Sequence, residues 1–348
     1  MIDLRRVSAQ DLEGLRRTPA AALGTVRHKL TEADYDRLLD LFQVYEIRYF
    51  LYNGGNDSMD TAHRVHQLAR EANYELVSIG VPKTVDNDLV GTDHCPGYGS
   101  AARFVAMAIR DTGYDTEAMA PSSPVKIMEI MGRNAGWLTA AAILGRQAPG
   151  DAPHLIYLPE RPVSQETCLS EVEEVYRRLG RVVIALSEGA RDEQGASLGK
   201  ALALEVDVFG HKMTGGASDE VARRNTADLR LKARVDRPNY LQRSFMSGAS
   251  SVDLAEAYEV GRAAVRAAVA GESDQMVSLV RISSEPYEWT TGTVDLSGVA
   301  NIERPLPDEY LNRGTGELAP AFIEYAKPLI GDPLPPYTRL TPHYVVPA

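Results

Sequence analysis

The sequence predicts an α/β protein built on mainly parallel, doubly wound sheets. Two observations carry this. Short apolar, β-branched runs alternate with helical patterns from about residue 47 to residue 190, the alternation expected of parallel sheets flanked by helices. Three of these runs end in polar, glycine-containing loops, where open α/β sheets assemble their ligand sites.

The first thirty residues read as loop and short helix. Thr31 is an N-cap with Asp34 three residues on, and Tyr35, Leu38, Leu39 and Phe42 share a helical face. A strand over 47–52 ends at Asn53-Gly54-Gly55-Asn56-Asp57-Ser58. The helix that follows, over 58–73, has Ser58 as its cap. A Gly-Gly turn there lets backbone N–H groups approach an anion at the positive end of the helix dipole, or is simply a tight turn. A strand over 76–80 follows, which Pro82 stops because it has no N–H to donate. Further on come a helix over 99–113, a strand over 125–130, a helix to about 146, and a strand over 154–158. Ser164 caps the next helix, in which Leu169, Val172, Tyr176 and Leu179 share a face. A strand over 182–187 ends at Glu188-Gly189-Ala190. Beyond it lie a polar loop, a helix over 217–229 and a basic segment over 232–238. Asp253 caps a long alanine-rich helix stopped by Gly271. A strand over 276–281 precedes a Pro- and Gly-rich tail with one helix near 319–325.

The 348 residues allow two domains or one large one, and 44% hydrophobic content supports sizeable cores. A net charge of −11 argues against nucleic-acid and anionic-membrane partners, so any phosphate must be held by a local basic cluster. Cys95 and Cys168 alone make no disulfide framework and suit a reducing cytoplasm. The charged start Met1-Ile2-Asp3-Leu4-Arg5-Arg6 is not a signal peptide, and no apolar run reaches the length of a membrane span.

The chemistry concentrates at Gly80-Val81-Pro82-Lys83-Thr84-Val85-Asp86-Asn87-Asp88-Leu89. A lysine beside two aspartates holds a phosphate, a metal and a proton acceptor together; a turn rich in Asp and Asn is the plainer reading. Its neighbours in order are Leu23-Gly24-Thr25-Val26-Arg27, Gly54 to Ser58, Met131-Gly132-Arg133-Asn134-Ala135-Gly136-Trp137, and Glu188-Gly189.

In this order the motifs resemble those of the phosphofructokinases from about residue 20 to residue 300. The resemblance implies two domains with the active site in the cleft between them: a donor domain of residues 1–98 plus 242–292, and a sugar-phosphate domain of 99–241 plus 293–348. It implies phosphoryl transfer to the 1-hydroxyl of fructose 6-phosphate, with Asp86 taking the proton, Asp88 supporting the loop and Thr84 touching substrate. Met131, Gly132 and Arg133 are implied to line the sugar pocket, and Glu188 to hold sugar hydroxyls. Tyr240 and Arg243 match the Tyr-x-x-Arg pattern for the 6-phosphate. Arg234 matches a residue reaching in from a neighbouring subunit, which implies a homodimer or larger homo-oligomer.

Asp57 and Lys83 resemble the pyrophosphate-using members, where ATP users carry glycine at both positions. A carboxylate at Asp57 repels the α-phosphate of a nucleotide, and Lys83 supplies charge for the leaving phosphate. Arg27, Gly55 and Asn56 complete the implied donor site. Mg²⁺ is the implied cofactor, although Asn56 replaces the family's metal-binding aspartate and an amide is a weaker ligand. The family's opening strand and glycine-rich loop are expected upstream of Met1, since Gly14 and Gly24 are the only glycines before Lys29. An ATP-dependent relative, and a non-catalytic sugar-phosphate-binding subunit or inactive truncated form, are the alternatives. Taken singly, Arg27 and Arg234 fit solvated charges, Tyr240 and Met131 fit packing, and Glu188 fits a helix-capping acid.

Overall fold

The structure, a computed structural model, describes residues 2–26, 28–199, 216–312, 316–341, 343 and 345. Its first helices are α1 (Ala9–Leu15) and α2 (Glu32–Val44). The latter opens on the expected box: Thr31 Oγ1 accepts the Asp34 N–H while the Asp34 carboxylate accepts the Thr31 N–H. Then come β1 (Tyr49–Gly54), α3 (Asn56–Glu71), β2 (Val77–Pro82), α4 (Tyr98–Met119), β3 (Val125–Ile130), α5 (Trp137–Ala140), β4 (Leu155–Tyr157), α6 (Gln165–Leu179) and β5 (Val182–Ser187). They are followed by α7 (Ala217–Asp228), β6 (Ala233–Asp236), α8 (Ser251–Val269), β7 (Gln275–Ser284), β8 (Tyr287–Asp295), the short pair β9 (Leu311–Asn312) and β10 (Glu317–Leu318), and α9 (Pro320–Ala326).

Among the described residues two four-stranded sheets form, in the orders β1-β2-β7-β8 and β4-β5-β3-β6. The second is wholly parallel; the first is parallel except for the antiparallel β7–β8 hairpin. β3 and β5 pair in full register from Val125↔Val182 to Ile130↔Ser187. Every residue of β5 is buried, as expected of a strand covered by helices on both faces. The largest core packs α4, α5, α9 and one face of the second sheet around Trp137, Tyr98 and Phe322.

Several local expectations need correction. The strand expected over 76–80 runs two residues further and stops at Pro82, opposite Gly54; the Lys83 N–H beyond it donates to the Gly54 carbonyl at 2.9 Å. Ser58 does not cap α3, which begins at Asn56 behind Gly55. The cap of α8 is Ser250, whose hydroxyl accepts the Asp253 N–H; Asp253 faces another helix. The basic segment contains β6, an edge strand whose Asp236 accepts from Lys126 Nζ on the neighbouring β3 at 2.8 Å. The helix after Trp137 turns 3-10 over Ala141–Gly145.

A buried polar cluster ties the first sheet to α8. His94 lies between the Asp93 (2.8 Å) and Glu256 (2.7 Å) carboxylates, Arg281 grips Asp93, and the Tyr287 hydroxyl donates to Glu256. Burial alone would depress the His94 pKa, but bonds to two carboxylates outweigh it and raise it to about 9. A raised imidazole pKa adds stability below the unfolded value of ~6.5 that is lost as pH climbs through the folded one. Wild-type protein should therefore lose on the order of a few kcal/mol of stability between pH 7 and pH 10 through this group. In urea titrations across that range His94→Gln should show a flatter profile with lower stability at pH 7.

Candidate active site

The crest after β2 is set by backbone contacts. Thr84 pairs with Gly97 in an isolated parallel bridge, and its hydroxyl accepts the Asp86 N–H at 3.1 Å. Asn87 adopts φ 57°, a left-handed conformation that asparagine tolerates better than most residues. Its side chain is held at both ends: Oδ1 accepts the Cys95 N–H and Nδ2 donates to the Tyr325 hydroxyl, both at 2.9 Å. Arg304 donates to the Asn87 carbonyl at 3.0 Å, and its own N–H reaches the Asp88 carbonyl at 2.7 Å. Asn87 is buried, whereas Asp86 and Asp88 on either side line an open cleft.

The facing wall is built at the ends of β3 and β5. The Glu188 N–H donates to the Ile130 carbonyl, and the Ser187 hydroxyl to the Gly132 carbonyl. Gly189 is required by close approach, since a Cβ there would sit 1.9 Å from the Arg133 carbonyl oxygen. A third wall is the 3-10 turn Asn239–Arg243. Its buried Gln242 accepts the Met131 N–H at 3.1 Å, and the Arg243 guanidinium lies 4.4 Å from the centre of the Tyr240 ring. At the other end α3 begins without a side-chain cap, its Asn56 amide oxygen accepting only the Asp57 N–H. First-turn N–H groups of an uncapped helix suit an anion.

These walls enclose about 1050 Å³, room for two small ligands. Gly55, Asn56, Asp57, Lys83, Thr84, Asp86, Asp88, Met131, Arg133, Glu188, Tyr240 and Arg243 all line it. Gly132 lies behind the surface: its N–H makes a long 3.4 Å bond to Glu188. Arg234 is not among the lining residues; on β6 it donates to the Ser123 hydroxyl. Arg27 lies outside the described residues. Among the lining residues that the sequence reading did not assign to the site are Gln242, Glu303, Asp253 and the short stretch Thr18–Ala22. Only Gln242, inside the Tyr-x-x-Arg pattern, carried a local signal.

The charges are unevenly solvated. Burial raises the Asp86 pKa against the pull of Arg133 and Lys83. Burial and the neighbouring Asp86 push Asp88 up to about 7. Burial also raises Glu188, and desolvation with Arg243 nearby lowers Lys83. Carboxylates poised above their ordinary range beside a lysine and two arginines are suited to moving a proton while cations hold phosphates. Among the described residues no three His, Cys, Asp or Glu side chains converge to cage a metal, and no helix is long and apolar enough to cross a membrane.

The fold and cleft are those of a phosphotransferase, and comparison with known sequences is specific. The phosphofructokinase family profile matches residues 2–268, and the chain belongs to this family. A pyrophosphate–fructose 6-phosphate 1-phosphotransferase of Xanthomonas campestris pv. campestris is 41% identical, covering 98% of this chain and 85% of its own. One from Halomonas elongata is 40% identical, over 98% and 83%. The crystal structure of a pyrophosphate-dependent phosphofructokinase from Marinobacter aquaeolei superposes with a TM-score of 0.85 at 37% identity, covering 97% of this chain and 81% of that one.

A carboxyl pKa raised from 3.8 to about 7 favours the folded state below pH 4 and disfavours it as pH rises through 7. Asp88→Asn should thus be more stable than wild type at pH 8, by on the order of a few kcal/mol at most. The advantage should vanish near pH 4, as read by thermal unfolding across the pH series.

Proposed function

We infer that the chain transfers a phosphoryl group from pyrophosphate to the 1-hydroxyl of fructose 6-phosphate, reversibly, giving fructose 1,6-bisphosphate and orthophosphate. One observation carries the reading: Lys83, Asp86 and Asp88 stand on one crest and share a single cleft with Arg133, Arg243, Tyr240 and Glu188. Phosphoryl transfer asks the protein mainly for position and charge, and this arrangement supplies both.

In the proposed reaction Asp86 accepts the proton of the 1-hydroxyl as its oxygen attacks the near phosphorus of pyrophosphate. The phosphoanhydride bond breaks and orthophosphate leaves beside Lys83. Arg133 offsets charge on the transferred group. Tyr240 and Arg243 hold the 6-phosphate, Glu188 accepts from sugar hydroxyls, and Thr84 and Met131 line the sugar. The backbone N–H groups at Gly55 and Asn56 cradle the donor, with Arg27 as a further donor ligand. The Asp57 carboxylate beside them disfavours a nucleotide tail. Gly132 shapes the wall through its bond to Glu188.

The residues present fit a cation that arrives on the pyrophosphate rather than one caged by protein, because oxygen donors such as Asn56, Asp57 and the crest carboxylates line the cleft while, among the described residues, no three His, Cys, Asp or Glu side chains converge on one point. Mg²⁺ bound in this way would neutralise phosphate charge. Residues 1–98 with 242–292 form the donor domain, and 99–241 with 293–348 the sugar-phosphate domain. Arg234, lying off this chain's own cleft, serves the cleft of a second copy in a homodimer or larger assembly, and the protein works in the cytoplasm as part of glycolysis and gluconeogenesis.

Side-by-side assays with fructose 6-phosphate should show turnover with pyrophosphate and little with ATP; robust ATP turnover that survives Asp57→Ala would overturn the donor assignment. Asp86→Ala should lower kcat by about two to four orders of magnitude, while calorimetry still detects fructose 6-phosphate binding. Equal loss of both would make the crest structural.

A further inference from the structure

The two ends of the sugar phosphate fall to different parts of the chain. Tyr240 and Arg243, which hold the 6-phosphate in the reading above, stand on the 3-10 turn Asn239–Arg243. Arg133, which offsets charge at the reacting end, stands on the loop that follows β3. One side chain joins turn and loop, and it bridges 111 positions of sequence.

That side chain is Gln242. It is 3% exposed, in a turn whose other residues are all exposed. Its Nε2 donates to the Asn239 carbonyl at 3.2 Å and so closes the turn on its own first residue. Its Oε1 accepts the Met131 N–H at 3.1 Å. β3 ends at Ile130, so this N–H has already left the ladder. Gly132 next to it has φ 132°, a conformation that side chains disfavour, and its carbonyl accepts from the Ser187 hydroxyl at 2.6 Å. The backbone leading into Arg133 is thus held from one side by β5 and from the other by the turn. Glutamine suits the place, because its amide donates and accepts at once and brings no charge beside the phosphate-holding Arg243.

Binding energy from a remote, non-reacting group speeds a reaction only if the protein carries it to the reacting centre. We propose that Gln242 is a positioning residue through which the turn that grips the 6-phosphate holds the Met131–Arg133 loop, and with it Arg133, at the phosphoryl group in transfer. The roles of the two ends rest on the reading above; the link between them rests on the two bonds of Gln242.

Gln242→Met keeps the size and removes both bonds, while Gln242→Glu keeps the acceptor for Met131. In Gln242→Met, amide hydrogen exchange at residues 131–133 should quicken about tenfold, and Gln242→Glu should restore the protection. With pyrophosphate and fructose 6-phosphate, kcat of Gln242→Met should fall about ten- to a hundredfold. KM for fructose 6-phosphate should stay within about threefold of wild type, whereas simple damage to the turn would raise it further. In an Arg133→Ala background the same substitution should change kcat by less than about twofold, because the group it positions is gone. Should Gln242→Met not fold, Gln242→Asn, too short to reach Met131, carries the same measurements; failure of both to fold overturns the proposal. Wild-type exchange at 131–133, or an equal kcat penalty in both backgrounds, overturns the proposal and leaves the site reading standing. Arg133→Ala with wild-type kcat overturns both.

Discussion

Asp86 and Asp88 repel each other, and a chain segment holding both in a partly dry cleft would relax if it were able to. What prevents this is the residue between them. Asn87 turns inward with a left-handed backbone, and its side-chain amide and backbone carbonyl are bonded by Cys95, Tyr325 and Arg304. With Asn87 held inside, Asp86 and Asp88 on either side of it line the cleft. Arg304 closes the other side: it also bonds the Thr92 and Asp93 carbonyls and lies 4.6 Å from the centre of the Trp137 ring. The strain of one asparagine in an uncommon conformation is small beside the cost of leaving several buried backbone groups without partners.

That constraint sets the electrostatics. Three carboxylates, of Asp86, Asp88 and Glu188, share walls with Lys83, Arg133 and Arg243. The carboxylates are desolvated enough to sit above their ordinary pKa range and Lys83 enough to sit below its own. Each of these groups is therefore poorly hydrated: the carboxyls favour holding a proton, and the cations gain by meeting an anionic ligand. An acidic protein holds anions in this way by local concentration of cations, and its overall charge of −11 is not felt at short range through the intervening salt.

The parts of this architecture legible in the sequence are those with a local cause. β3 and β5 have the bounds expected from their unbroken apolar runs, and the Thr31 box and the Gly271 stop follow from single residues. β6 and β8 escaped because edge strands are half solvated: β8 alternates exposed and half-buried positions with Glu288, Thr290 and Asp295 among them, and β6 presents Arg234 and Asp236. The α8 cap was placed three residues late because Asp253 is as good a capping residue as Ser250 by type, and only the tertiary structure gives it different work. Glu303 and Arg304 serve a crest more than two hundred residues earlier, and no window along the chain connects them.

The bonds that tie the cleft's walls together share a chemical character. Gln242 to Met131, Ser250 to Ser100, Arg304 to Asn87 and the Lys83 N–H to Gly54 each involve at least one backbone group. None requires a titrating side chain from the crest itself. The loops are thus fixed by bonds that hold over a wide pH range and are weakly screened by salt, while Lys83, Asp86 and Asp88 are left to change protonation and solvation when a ligand enters. Had the crest been anchored through its own carboxylates, each proton moved would have loosened the frame that positions the next one. Separating the anchoring residues from the reacting ones allows one loop to be both rigid in backbone and responsive in charge.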